Sequence, residues 1–432
     1  LPRAEWEEEP MKTNRKMFRA VAATTLVGGL FLASCSSDNS SSAPATDSKA
    51  SEGTADRGPI TFAMGKNDTD KIIPIIEKWN AEHPDEKVEL KELAGEADAQ
   101  RETLVQSLQA KKDDYDVMAL DVVWTAEFAA NQWIAPLTGD LKVDTSDLLQ
   151  PTVDSATYKD TLYALPQNTN GQLLFRNTEL APNAPEKWQD LVDACGEVKD
   201  KDCLLLQLKQ YEGLTVNTTD FMEGWGGSVL DGEEITVDSP DSQAGLRALV
   251  DGYKGGVIAK SATATTEEET NLAFVAGDTA FAINWPYMYD NAVESEATNG
   301  KFEVQPLVGK DGVGTSTLGG YNNAINVNSK HKATALDFMK FIVNKENQTS
   351  FAEAAFPPVL ASIYDDNALV EKFPYLPALK TSLENAAPRP VSPFYPAISK
   401  AIQDNAYAAI TGDKSVEDAT KDMKAAIKNA SK

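Results

Sequence analysis

The sequence predicts two α/β lobes, on three grounds. Residues 60–120 alternate strand, helix, strand, helix, strand, and residues 185–281 mix helix and strand a second time. After a leader, the 432-residue chain still holds enough residues for two ordinary domains, and an apolar content of 42% suits packed cores.

Residues 60–64 form a short apolar run behind Gly58-Pro59, the pattern of a strand. Residues 70–81 then place Ile72, Ile76 and Trp79 at helical spacing. A second strand is predicted over 88–93, a helix over 97–110 with Leu104 and Leu108 inward, and a third strand over 115–120. Such alternation gives a parallel sheet with helices on both faces, whose ligands sit outside the carboxyl ends of the strands. The loops 65–70 and 121–124 are therefore predicted to face one crevice. In the second lobe, 204–208 and 279–284 read as strands. Beyond Lys330 the helical candidates are 333–343, 348–355 and 397–411, predicted to pack across the second lobe.

Residues 1–10 precede Met11 and read as an upstream extension outside the fold. Lys12, Arg15, Lys16 and Arg19 then form a basic start, and 20–31 is an apolar stretch too short and too rich in small residues for a membrane span. It ends in Leu32-Ala33-Ser34-Cys35, which resembles the bacterial lipobox. Residues 11–34 are thus expected to be a cleaved signal peptide and Cys35 to carry lipid. The folded part would be held at the outer surface of the cell membrane without crossing it. Residues 35–57 are read as the lipidated cysteine and a flexible leash, since they lack apolar periodicity.

The formal net charge of −26 argues against nucleic acid and anionic lipid as partners. Once Cys35 is assigned to lipid, Cys195 and Cys203 remain, an even pair that predicts a structural disulfide in an exported chain.

The two histidines, His83 and His331, join no triad or metal motif, and no phosphate loop or dinucleotide fingerprint appears. No metal or cofactor is expected. The many carboxylates keep a surface glycoside hydrolase as the alternative, because two suitably spaced acids suffice for that chemistry. Sugars present apolar C–H faces to aromatic rings and hydroxyl rims to planar hydrogen-bonding groups. Ile283-Asn284-Trp285-Pro286-Tyr287 and Gly319-Gly320-Tyr321 offer such rings at a strand end and beside bare backbone, with core or hinge packing as the competing role.

From residue 60 to 426 the chain resembles the family 1 solute-binding proteins of carbohydrate ABC transporters. The segments that carry this, in order, are 116–124 (DVMALDVVW), 133–137 (WIAPL), 163–166 (YALP), 185–191 (PEKWQDL) and 274–277 (FVAG). Residues 209–214 (KQYEGL), 284–287 (NWPY), 318–321 (LGGY) and 388–395 (PRPVSPFY) are similar to its trehalose/maltose-binding branch, including actinobacterial lipoproteins. The resemblance implies a type II-like periplasmic-binding-protein fold, a non-catalytic monomer whose hinged lobes close over an α-glucoside. The closed form would be recognised by a permease with a cytoplasmic ATPase. It implies a first lobe of 58–168 and 288–335 and a second of 169–287 and 336–432. It assigns sugar contacts to Asp121, Arg389, Arg101, Trp285, Tyr287, Gly319, Gly320 and Tyr321. Asn168 and Asn170 replace an aromatic and an acid of the relatives, and the first loop, with Asp68, is shorter than theirs. Glu212 and Glu223 follow the branch pattern, with plain surface solvation equally open.

Overall fold

The computed structural model describes residues 50, 52–231 and 234–430. Cys35 and the expected signal peptide lie outside the described residues.

The first sheet is built from β1 (Ile60–Gly65), β2 (Val88–Leu93), β3 (Val117–Asp121) and β4 (Leu165–Asn170). The second contains β5 (Leu173–Asn177), β6 (Asp202–Leu205), β7 (Thr279–Asn284) and β8 (Phe302–Pro306); β9 (Gly319–Ile325) then returns to the first. The strand orders are β2-β1-β3-β9-β4 and β8-β5-β7-β6. Strands β1, β2 and β3 run parallel, with Ile60 opposite Val88 and Phe62 opposite Val117, as the alternating sequence pattern requires. The predicted crossover helices are α1 (Thr69–Glu82) and α2 (Ala97–Gln109), and Ile72, Ile76 and Trp79 of α1 face the core as their spacing dictates.

In chain order the further helices that position the site are α3 (Thr125–Ala130), α4 (Glu212–Gly224), α5 (Glu267–Val275), α6 (Met288–Glu294), α7 (Lys332–Ile342), α8 (Lys345–Glu353), α9 (Leu376–Glu384), α10 (Tyr395–Thr411) and α11 (Val416–Ala430). Two of them correct the expected lobe boundaries. Phe338 of α7 lies edge-on to Phe62 at 5.7 Å and to Trp79 at 5.5 Å, so α7 and α8 complete the first core, not the second. The first core continues through Leu379, and of the described helices beyond Lys330 α10 and α11 enter the second. Conversely β8, expected in the first lobe, pairs antiparallel with β5 in the second sheet. Helical period says that a face is apolar and leaves open which sheet receives it.

The end of the expected leash is also docked. Arg57 binds Glu86 at 2.6 Å and Asp337 at 2.9 Å, and the Lys332 ammonium donates to the Glu52 carbonyl at 2.6 Å. Both contacts satisfy backbone or charge that composition alone cannot see. Cys195 and Cys203 are bonded, joining the end of the helix Trp188–Cys195 to β6.

The chain passes between the lobes three times, and the crossings are stitched together. The first is Gly171-Gln172, between β4 and β5; an added Cβ at Gly171 would stand 2.7 Å from the Ser382 hydroxyl. The second, approaching β9, and the third, after α9, bond backbone to backbone: Leu318 N–H to the Ala387 carbonyl at 2.8 Å and Ala387 N–H to the Ser316 carbonyl at 2.9 Å. Ser316 Oγ accepts from Gln172 N–H at 2.8 Å, tying in the first crossing.

A buried acid of the second lobe holds this hinge. Asp220 of α4 accepts the Thr317 N–H at 2.6 Å through one oxygen, while its other oxygen is buried without a protein partner. Burial pushes its carboxyl up to about 8, against the pull of the Thr317 bonds. A carboxyl whose folded pKa is raised gives stability that is whole below the unfolded pKa and is lost as pH climbs to the folded value. Asp220→Asn keeps an acceptor for Thr317 and removes the titration. In urea unfolding, the stability of the variant relative to the parent should therefore rise between pH 4 and 8 and level off above; a difference that is flat with pH would show that Asp220 titrates normally.

Candidate functional site

The carboxyl ends of β1, β3 and β7 open on a cleft between the two lobes, where the ligands of such sheets sit. The turn after β1 supplies Asp68, β3 ends at Asp121, and the chain leaving β7 carries Trp285 and Tyr287. Strand β9 enters with Gly319, Gly320 and Tyr321, beside Asn170 at the end of β4.

Both glycines are required by geometry. At Gly319 a Cβ would stand 2.8 Å from the Trp285 ring, so bare backbone lets a ring of the second lobe lie against a strand of the first. Gly320 has φ +118°, which L side chains avoid, and its Cβ would come within 2.3 Å of the Asn168 carbonyl. Both line the cleft from a bulged strand start, with the register shifting between Tyr321 and Asn322.

At the floor lies Arg389, in the third crossing, with its side chain 2% exposed. It donates to Asp121 of the first lobe at 2.9 Å and to Glu212 of the second at 2.7 Å. Glu212 also accepts from the hydroxyls of Tyr395 and, at 2.5 Å, Ser399. Burial opposes the Arg389 charge, but Asp121 and Glu212 outweigh it and hold the guanidinium more firmly protonated than usual. Burial pushes the Glu212 carboxyl up to about 7, with Arg389 pulling it back. Glu212 is thus an interior partner of Arg389, and its surface reading is overturned. Glu223, the other acid of that pattern, does not line the cleft; burial and then the charge of Asp220 push it up to about 8.

The upper wall is also acidic. Asp68 is 8% exposed, and burial, reinforced by the charges of Asp70 and Glu267, pushes it up to about 7. Glu267, at the start of α5, is raised by burial and accepts the Tyr211 hydroxyl at 2.5 Å. A hydroxyl-rich ligand entering here meets carboxylate acceptors on both lobes and rings between them.

Two residues assigned by resemblance fall elsewhere. Arg101 is engaged by Glu127 of α3 on the first lobe, at 2.8 Å through Nε, and does not line the cleft. Asn168 is fully buried opposite Tyr321, its amide donating to the Thr169 carbonyl at 3.3 Å. In its place the cleft gains Glu267, Gln100 and Asn67. Glu267 was hidden because it opens an acidic run in which Thr266 and Glu269 form a capping box, a pattern that reads simply as a helix start. Closure is reinforced at the edges, where Lys209 of the second lobe meets Glu96 of the first at 2.7 Å and Lys71 approaches Asp290 at 3.7 Å.

Two α/β lobes, a three-strand hinge and a polar, aromatic-lined cleft between them define a type II-like periplasmic binding protein. The comparisons with known proteins agree. A model of the bacterial extracellular solute-binding proteins matches residues 75–381, and the chain belongs to that family. A Deinococcus radiodurans protein described as a probable ABC transporter-binding protein is 30% identical over 346 residues, covering 75% of this chain and 82% of its own. The structure of maltose-bound MalE3 of T. maritima superposes with a TM-score of 0.81 at 29% identity, over 86% of this chain and 99% of that one. The GacH receptor of Streptomyces glaucescens, solved unliganded and with acarbose, shares the fold at a TM-score of 0.78 and 23% identity, over 87% and 98%. Members of this family work outside the cytoplasm by binding a solute without transforming it, which sets aside the glycoside hydrolase.

Proposed function

We propose that this chain captures an α-glucoside, trehalose or maltose and its short homologues, and delivers it to the permease of an ABC importer from a lipid anchor on Cys35. The observation that carries the reading is the pairing, in one interlobe cleft, of carboxylates with rings: Asp68, Asp121 and Glu267 beside Trp285, Tyr287 and Tyr321. Carboxylates accept from adjacent hydroxyls, and rings cover the C–H faces of a pyranose. Ligand that touches both lobes favours the closed arrangement through contacts the open one lacks, which is the signal a permease can read. The relatives solved with maltose and acarbose lend support by their ligands.

Calorimetric titration of the purified protein with trehalose, maltose, sucrose and glucose tests this. Saturable binding of trehalose or maltose, with the sugar recovered intact, is the expected result. Silence with every α-glucoside would remove the reading.

A further inference from the structure

The strand ends that line the cleft have a second face. Successive residues of an extended chain point to opposite sides of a sheet, so Asn170 and Gly319 line the cleft while their neighbours Thr169 and Leu318 line a separate pocket of about 270 Å³ behind it. The helices Gln150–Ser155 and Ala361–Tyr364 and the end of α9 close its sides, and Leu149, Ala361, Tyr364 and Leu383 make the wall largely apolar. Two hydroxyls of that wall are engaged, Thr152 donating to the Leu149 carbonyl at 2.6 Å and Tyr364 to the Pro358 carbonyl at 2.8 Å. The Thr169 hydroxyl is fully buried and has no partner among the described residues. A water beside it would find that one group against an apolar wall, whereas a well-held buried water makes about three hydrogen bonds. An apolar body bearing a single hydroxyl satisfies Thr169 and covers the rest of the wall. The mouth sets one ammonium against two carboxylates, Lys380 meeting Asp365 at 3.6 Å with Glu384 beside them, which disfavours an anion.

We infer that this pocket is a second ligand site, for a neutral ring-sized alcohol, and that its occupant acts on solute capture from behind the cleft. The route is short. Thr169 and Leu318 adjoin the cleft residues Asn170 and Gly319 in the chain, and the Leu318 N–H holds the Ala387 carbonyl of the third crossing at 2.8 Å. An occupant that favours one lobe arrangement over the other changes the affinity of the cleft, and the cleft ligand changes the affinity of the pocket by the same factor. The site itself is independent of which solute the cleft takes; the coupling is read with maltose and rests on the sugar reading above.

The test is calorimetric titration of the purified protein with benzyl alcohol, toluene and benzoate. It is repeated on Thr169→Val, which keeps the shape and removes the hydroxyl, and on Ala361→Phe, which fills the pocket from a half-buried position. Benzyl alcohol should bind the parent saturably and at least about fivefold more tightly than toluene, with benzoate weakest. Thr169→Val should erase the advantage over toluene, and Ala361→Phe should abolish binding of all three. With benzyl alcohol saturating, maltose affinity should shift at least about threefold in the parent and stay as it was in Ala361→Phe. No saturable binding of benzyl alcohol by the parent, or equal binding by the parent and both variants, would overturn the site. Bound benzyl alcohol with an unmoved maltose affinity would overturn the coupling. No binding of maltose at all would overturn the sugar reading, while the direct titrations still decide the site. Unfolding midpoints of parent and variants, measured alongside, separate a filled pocket from a lost fold.

Discussion

Arg389→Met should cripple both closure and ligand capture. The guanidinium is shared by Asp121 of the first lobe and Glu212 of the second, so removing it leaves two acids at the floor without their cation. Deleting one member of a buried ion pair costs about 3–5 kcal/mol, because the remaining charge has no partner. Part of that cost falls on the arrangement of the lobes in which Arg389 ties Asp121 to Glu212. Sugar affinity should therefore drop by about two orders of magnitude or more, measured by calorimetry. The second-lobe core should also unfold at lower temperature. Adding Glu212→Gln should recover part of the stability, since it removes one of the stranded charges, but little of the affinity. An Arg389→Met protein that binds sugar normally would mean that the floor plays no part in capture.

The other large effect is expected at Trp285. Its ring lies against Gly319 and lines the cleft, so its truncation removes stacking surface without opening either core, to neither of which Trp285 belongs. Large aromatic anchors at the centre of binding sites cost about 2 kcal/mol or more when cut to alanine, about 30-fold in affinity. Trp285→Ala should lose that much with an unchanged melting temperature, and Trp285→Phe should keep most of it. Equal affinities for the three proteins would assign the ring to hinge packing, the competing role its strand-end position allows.

Much of the fold was legible because it is local. The period of Ile72, Ile76 and Trp79 and the apolar runs at β1, β3 and β7 specify elements directly, and their order specifies a parallel sheet. The path of the chain between lobes was not legible, since β8 and α7 carry ordinary strand and helix patterns that either sheet could accept. The site divided in the same way. Asp121, Trp285, Gly319 and Gly320 stand at strand ends, where topology puts ligands, and line the cleft. Glu267 and the Arg101–Glu127 pair depend on which side of a helix faces the cleft, a matter settled by tertiary packing.

The docking of residues 52–57 has a mechanical side. Arg57 is clamped by Glu86 and Asp337, and the Glu52 carbonyl by Lys332, all on the first lobe. A load transmitted along the chain from its amino-terminal side is thus borne by that lobe before it reaches the hinge. The second lobe remains the unloaded jaw, free to swing on the three crossings whether the first is held or not.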